Sequence, residues 1–394
     1  MYKKLKIIVV GGDGYCGWPT SLHLSDRGHE ILIIDNLSRR KIDIELGVDS
    51  LTPISSMHER IESWSELSGN RIGFEFIDVA VEYDKLIQVL KFFQPDAIIH
   101  FGEQRSAPYS MKNSSTRRYT ISNNINATNN ILSAIVELEL NTHLVHLGTM
   151  GVYGYSTSGF KLPEGYVKAV FKLKDDMGNE IITEENEILY PPDPGSIYHL
   201  TKTQDALSFA YYNKNYGLQI TDLHQGIVWG TNTKLTSRDP RLFNRFDYDG
   251  DYGTVLNRFL VQSSQNLPLT VHGKGLQTRA FINIEDTARC IRLAVENPTD
   301  NSDKVRIFNQ LAETHTVLSV AKMVSSFTGA EIINIPNPRK EDEEHELSVS
   351  NNNLVQLGFK PILLNENLLE EVKMITDSYK HRCDHKLIPC TSKW

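Results

Sequence analysis

The apolar run 5–10 opens directly into Gly11-Gly12-Asp13-Gly14-Tyr15-Cys16-Gly17, and the residues from there to about Arg27 suit a helix. A strand that breaks at glycines and resumes as a helix leaves little choice of fold. Glycines at 11, 14 and 17 permit a tight turn, close approach of backbone to a pyrophosphate, and packing of helix on strand. Roughly 20 residues further on, a second apolar run, 31–34, ends in Asp35. A carboxylate there accepts from a ribose 2′-hydroxyl and repels a 2′-phosphate, which predicts NAD as the cofactor. Arg39 and Arg40 lie close enough to blur that preference. The alternative, a glycine-rich turn followed by an ordinary surface Asp, requires strand, glycines, helix and acid to fall into register by chance.

Apolar runs at 73–77, 97–101, 143–147 and 219–223 continue the pattern, with helix-length segments such as 84–93 and 122–139 between them. The expected fold class is α/β: an NAD-binding, Rossmann-type, doubly wound parallel sheet with a smaller C-terminal substrate-binding lobe. The boundaries read as 1–230 for the first domain, with a return segment over 280–310, and 231–279 plus 311–394 for the smaller lobe. Residues 167–174 and 181–189 read as a β-hairpin turning at Asp175-Asp176-Met177-Gly178-Asn179. The proline-rich stretch Tyr190-Pro191-Pro192-Asp193-Pro194-Gly195-Ser196 then hands over to a helix. The charged run 339–344 reads as a solvated face.

That helix carries Tyr198-His199-Leu200-Thr201-Lys202, which places a phenol and an ammonium on one helical face. A phenol loses its proton near pH 10, so a neighbouring cation that favours the phenolate makes it a usable base. Tyr-x-x-x-Lys is common by chance, and it gains weight here from the dinucleotide fingerprint before it.

Lys plus Arg number 41 against 49 Asp plus Glu, a net charge of -8, so nothing draws the chain to nucleic acid or anionic membrane, and any bound anion needs local cations. No apolar stretch reaches membrane-span length and no cleavable signal is apparent, so no membrane insertion and a cytoplasmic location are expected. Four cysteines, Cys16, Cys290, Cys383 and Cys390, are too few for a disulfide framework, though a Cys383–Cys390 bridge stays open. No metal is expected, because the tail His381-Arg382-Cys383-Asp384-His385 fits no zinc spacing.

Together, Gly11-x-x-Gly14-x-x-Gly17, Asp35, Asp78-Val79, Asn124, Thr149 and Tyr198-x-x-x-Lys202 resemble the extended short-chain dehydrogenase/reductases that act on nucleotide sugars. Four longer motifs resemble, within that superfamily, the UDP-sulfoquinovose synthase family. They are His100-Phe101-Gly102-Glu103-Gln104-Arg105-Ser106-Ala107-Pro108-Tyr109-Ser110, Leu147-Gly148-Thr149-Met150-Gly151, the Tyr198–Lys202 run, and Gly273-Lys274-Gly275-x-Gln277-Thr278-Arg279. Asn337-Pro338-Arg339 followed by Glu343-Glu344-His345 fits the same family. Val152 stands where plant members carry an acid, so no role for that acid carries over.

The resemblance implies that UDP-glucose and sulfite become UDP-6-sulfo-6-deoxyglucose with NAD recycled in place. Oxidation at C4 acidifies the C5 proton, the C6 hydroxyl leaves, sulfite adds at C6, and the hydride returns. Tyr198 would be the base at O4, Lys202 would hold the ribose, and Thr149 would hydrogen-bond O4. For the cofactor the resemblance implies Gly11, Asp13, Gly14, Tyr15, Cys16, Gly17, Asp35, Asn36, Arg39, Asp78, Val79, Phe101, Gly102, Asn124, Tyr198, Lys202 and Gln225. For the substrate it implies Gln104, Arg105, Thr149, Met150, Gly151, Tyr198, His199, Gln225, Asn257, Thr270, Val271, His272, Gln277, Arg279, Arg339 and His345. Arg279 and Arg339 would grip the diphosphate, and Arg105 is either a substrate ligand or a structural ion pair. Related 4,6-dehydratases carry Asp and Glu where this chain has Met150 and Gly151. The small residue at 151 is expected to leave room for sulfite, and His199 is a candidate shuttle for the C5 proton through a pKa near neutrality. A homodimer is expected by the same resemblance. UDP-glucose 4-epimerase is the competing enzyme, and a non-catalytic NAD-sensing regulator is the competing class.

Overall fold

The first strand, β1 (Lys6–Val10), has Ile7, Ile8 and Val9 fully buried, so both faces of the sheet it joins are covered. The computed structural model describes residues 3–154, 159–298, 304–339, 341 and 344–393. After β1 come α1 (Gly17–Asp26), β2 (Glu30–Asp35), α2 (Ser38–Leu46), α3 (Met57–Ser68), β3 (Ile72–Phe76), α4 (Tyr83–Phe93), β4 (Ala97–His100), α5 (Ala107–Met111), α6 (Ser114–Glu137) and β5 (His143–Thr149). A 3-10 turn over Met150–Tyr153 precedes β6 (Tyr166–Ala169), β7 (Lys172–Lys174), β8 (Glu180–Ile182), β9 (Asn186–Leu189), α7 (Ile197–Tyr216) and β10 (Ile220–Gln225). Then follow β11 (Ile227–Trp229), α8 (Val255–Ser264), β12 (Leu269–His272), β13 (Thr278–Asn283), α9 (Ile284–Glu296), β14 (Arg306–Gln310), β15 (Glu313–Thr316), α10 (Val317–Thr328), β16 (Ile332–Ile335), α11 (Asn352–Gln356) and α12 (Glu366–Tyr379).

Seven strands form one parallel sheet in the order β14-β10-β5-β4-β1-β2-β3. The chain moves outward from β1 to β3 and then reverses through β4, so the order switches beside β1. Ligands in open α/β sheets bind at such a switch, beyond the carboxyl ends of the strands. Two smaller sheets, β11-β13-β15 and β12-β16, are built from chain that follows β10. The hairpin divides into two antiparallel pairs, β6 with β9 and β7 with β8.

Local signals account for the boundaries that differ from expectation. α6 begins at Ser114 rather than 122, because Asn113 caps it through the amides of Ser115 and Thr116, and polar residues fill its first turns. α2 and α3 fill a stretch where no helix is expected from the pattern, and α3 starts at a capping box between Ser56 and Glu59. Cys383 and Cys390 are free thiols. Of the charged run, Lys340, Asp342 and Glu343 lie outside the described residues, and Glu341 is buried against Arg279 rather than solvated.

Candidate active site

The loop after β1 turns at the switch point with no room for a Cβ at Gly11 or Gly17. Gly11 adopts φ +83°, and a Cβ there would overlap the backbone of Phe101 and Gly102; a Cβ on Gly17 would overlap Gly11. At the end of β2 the Asp35 carboxylate accepts from the Asp13 amide at 2.8 Å and the Leu37 amide at 2.7 Å. Burial, then the nearby Asp13, pushes Asp35 up to about 6. A cavity of about 330 Å³ begins here and runs across the strand ends to Tyr198 and Arg339. The glycine cradle and the carboxylate behind it fit a dinucleotide.

The two arginines that blurred the cofactor preference are both engaged. Arg40 forms a bidentate pair with Asp13 at 2.6 and 2.7 Å, beside a buried Arg60. Arg39 pairs with Asp43 and Asp247 and stacks on Tyr252. Their guanidinium groups therefore answer internal carboxylates, which leaves the Asp35 preference for a free 2′-hydroxyl intact.

Thr149 ends β5, and the first turn of α7 brings Tyr198 beside it, where the Thr149 hydroxyl favours the ionised phenol. Ser196 caps α7 by accepting from the His199 amide, which fixes where that turn starts. Lys202 donates to Leu147 O at 2.7 Å and lies 2.8 Å from the Glu103 carboxylate. Lys202 favours the Tyr198 phenolate, as the spacing predicts, but it is not the largest influence on the phenol. Burial pushes the Tyr198 phenol above its ordinary value, Lys202 opposes that, and Glu103 works against Lys202.

Gly151 lines the cavity, but the space its missing side chain leaves is taken by a neighbouring ring. A Cβ at 151 would overlap the ring of His199, so the missing side chain is what admits the imidazole. His199 is buried, with Nδ1 3.0 Å from Ser196 Oγ. Burial, then Arg339 and Arg279, pushes it down to about 3, not to neutrality, so it stands as an uncharged imidazole.

Most of the residues expected from sequence share this cavity. Asp13, Tyr15, Cys16, Asn36, Asp78, Val79, Gln104, Arg105, Met150, Gln225, Arg279, Arg339 and His345 line it. Thr270, His272 and Gln277 line an adjoining pocket with Arg105, Arg258, Arg279 and Arg339. Three do not face either space. Asn124 is fully buried and ties Gln104 O to Thr201 Oγ1. Asn257 closes on both backbone groups of Gly230, and Val271 points into the core from β12. Arg105 both lines the cavity and pairs with Asp247. Sequence reasoning missed Glu103, although it sits inside a motif singled out, and Arg258, which follows Asn257 on α8.

Residues 7–309 match the model of the NAD dependent epimerase/dehydratase family. UDP-sulfoquinovose synthase, chloroplastic, from Spinacia oleracea is 42% identical over 99% of this chain and 79% of the spinach protein. UDP-sulfoquinovose synthase from Sulfolobus acidocaldarius is 39% identical over 99% of this chain and 98% of that protein. The chain belongs to the UDP-sulfoquinovose synthases of the NAD-dependent epimerase/dehydratase family. NAD is its cofactor. A UDP-glucose 4-epimerase of Thermotoga maritima, solved with UDP-glucose, shares the fold at 20% identity, with a TM-score of 0.68 over 96% of this chain and 99% of that one. UDP-glucuronic acid 4-epimerase of Bacillus cereus, solved with UDP-glucuronic acid and NAD, does so at 20% identity and a TM-score of 0.66 over 95% of this chain and 99% of the other. Among the described residues no helix is long and apolar enough to cross a membrane.

Proposed function

We propose that this enzyme joins sulfite to C6 of UDP-glucose, giving UDP-6-sulfo-6-deoxyglucose and water. The observation that carries the reading is the Thr149–Tyr198–Lys202 floor beside Met150 and Gly151, two positions with no carboxylate to serve a 4,6-dehydratase. NAD would rest on the loop of Gly11, Gly14 and Gly17, with Asp35 at its adenosine ribose and Lys202 at the other, and supplies the hydride acceptor at C4. Tyr198 takes the O4 proton, and Thr149 orients phenol and hydroxyl.

Arg279 and Arg339 hold the diphosphate. Their charge holds the His199 pKa down, so a bound diphosphate relieves part of that depression. An uncharged His199 is then placed to take the C5 proton and return it to the C6 hydroxyl, which leaves as water. Sulfite adds to the resulting carbon–carbon double bond and a proton returns to C5; the C4 ketone would then be reduced by the hydride taken at the start, with Tyr198 returning its proton to O4. Solvent-deuterium exchange at C5 that is unchanged in His199→Ala removes His199 from this role.

Mass spectrometry of UDP-glucose incubated with enzyme and sulfite tests the reaction. Sulfite-dependent sulfonated nucleotide is expected, whereas UDP-galactose alone points to an epimerase, and no product to a binding protein. Tyr198→Phe is expected to lose about 10²–10⁴ in rate. The reading includes a cytoplasmic homodimer; the exposed Leu207, Tyr211 and Tyr216 on α7 support the dimer, which light scattering tests.

A further inference from the structure

Beneath the Tyr198–Lys202 pair lies a cluster of charge that the reaction does not require in order to be written. Glu103 follows β4 in the turn where its amide donates to Phe101 O, and its side chain is 2% exposed. One carboxylate oxygen lies 2.8 Å from Lys202 Nζ. The other accepts from Thr128 Oγ1 at 3.2 Å and is within 3.2 Å of His100 Nε2 and 3.1 Å of His146 Nε2. Four elements thus converge on one carboxylate: its own loop with His100, α6 with Thr128, β5 with His146, and α7 with Lys202 and Asp205.

Hydrogen-bond directions in the cluster follow from donor counts. His100 Nδ1 accepts from the Gly102 amide at 3.3 Å, so its proton sits on Nε2 and points toward Glu103 and Thr128. His146 Nδ1 lies 2.8 Å from Asp222, and its Nε2 lies 2.9 Å from Lys202 Nζ. His146 thus lies between two carboxylates, Asp222 at Nδ1 and Glu103 at Nε2, which against burial and Lys202 raise its pKa to about 9. Burial and the Glu103 charge push the Asp205 carboxyl well up. The carboxylate in direct contact with the Lys202 ammonium is Glu103. The cluster of Glu103, His146 and Asp205 has the composition of a metal site, but the Lys202 ammonium already occupies the cation position between Glu103 and His146.

We infer that Glu103 is a positioning residue of this reaction: its carboxylate fixes the Lys202 ammonium against Leu147 O and, as its counter-charge, weakens the pull of that ammonium on the Tyr198 phenol. The inference rests on the reading of Tyr198 and Lys202 as the catalytic pair. The charged and polar groups that act on the Tyr198 phenol are Lys202, Glu103, Thr149 and Arg105, with the His199 ring tilted beside it at 5.1 Å. Of these, Glu103 is the one whose charge favours keeping the proton on the phenol. The arrangement keeps Tyr198 protonated in the resting site and leaves its activation to charge that arrives with the ligands.

The test is Glu103→Gln, whose amide oxygen still accepts from Lys202 while the charge is gone. Ultraviolet difference absorbance of tyrosinate, with Tyr198→Phe as the blank that isolates this one phenol, is read against pH without turnover. The Tyr198 transition is expected to move down by about one pH unit, and the acid limb of the kcat profile to move with it. A Tyr198 transition at its parental pH in folded Glu103→Gln overturns the inference, whatever happens to the rate. Glu103→Asp decides the positioning half and stands in should the Gln variant not fold. With charge kept and reach shortened, it is expected to hold the parental pH limb while kcat falls at least tenfold; a parental kcat, or a limb displaced downward, overturns the inference. Failure of the underlying reading is separately visible, since Tyr198→Phe would then still make the sulfonated nucleotide.

Discussion

The vacancy at the Gly151 Cβ position is filled by the His199 imidazole, so the two residues are sterically complementary across the turn that follows Thr149. A glycine in that turn is thus a statement about α7 more than about its own backbone. The same contact puts an uncharged, buried ring next to Met150 and the Tyr198 phenol.

Gly151→Ala is therefore expected to push the His199 ring off its place and lower kcat by about 10–100-fold, a displacement of reacting groups by a fraction of a bond length being sufficient for that. NAD binding, measured on the apoprotein, should stay at its parental value because the cradle is remote from this turn. In a His199→Ala background the same glycine change should cost little, since the ring it would strike is gone. Equal losses in both backgrounds would show that the glycine serves the turn itself.

Asp35 gives a pH dependence to cofactor binding. Its carboxyl is pushed up to about 6 by burial and then by Asp13, and only the ionised form offers acceptors without a competing proton. NAD affinity of the apoprotein, followed by calorimetry, should fall as the pH drops from about 7.5 to 5.5, because protons compete for the folded protein. Asp35→Asn should bind NAD weakly at both pH values with no slope between them. A parental slope in that variant would assign the pH effect to another group.

These arguments use features that sequence made readable to different degrees. The strand, glycine loop and Asp35 were legible because each obeys a local rule of period or turn chemistry, and so were the alternating strands and the hairpin. The capping box of Ser56 and Glu59 was equally local and marks α3, but the weakly periodic residues behind it hid the helix. Asn257 and Val271 lie beside cavity residues in the chain yet face away, since which side of α8 or β12 meets the ligand is set by packing. Glu103 stood inside a conspicuous motif, but its meeting with Lys202 depends on β4, β5 and α7 lying side by side. Periodicity reports which face of an element is apolar; it does not report which buried charges will be neighbours.

Arg279 answers Glu341 and His345, so a diphosphate bound as proposed would have to share or displace those partners. Arg279→Gln removes a fork that can take two phosphate oxygens, and charge-assisted pairs of this kind are the stronger class of hydrogen bond. The KM for UDP-glucose is expected to rise about 10–100-fold, with a matching rise in the UDP dissociation constant of NAD-loaded protein. An unchanged UDP constant would place the diphosphate elsewhere.

His143, at the opposite end of β5 from Thr149, offers a stability test free of catalysis. It is buried, 2.8 Å from Thr221 Oγ1, and burial followed by Arg306 pushes its pKa down to about 3. The folded state therefore leaves it neutral through a range where the unfolded chain binds a proton, from about pH 6.5 downward. Its contribution is complete above pH 6.5 and is lost as the pH falls toward 3. Between pH 7 and 4.5 that amounts to roughly 2–3 kcal/mol, at about 1.4 kcal/mol per unit for one group. Urea unfolding of the wild type and of His143→Gln at both pH values isolates the effect from every other titrating group. The variant is expected to be the less stable of the two at pH 7, through loss of the Thr221 contact, and to narrow or reverse that gap at pH 4.5. A gap that stays constant across the two pH values would mean that His143 titrates alike in the folded and unfolded chain.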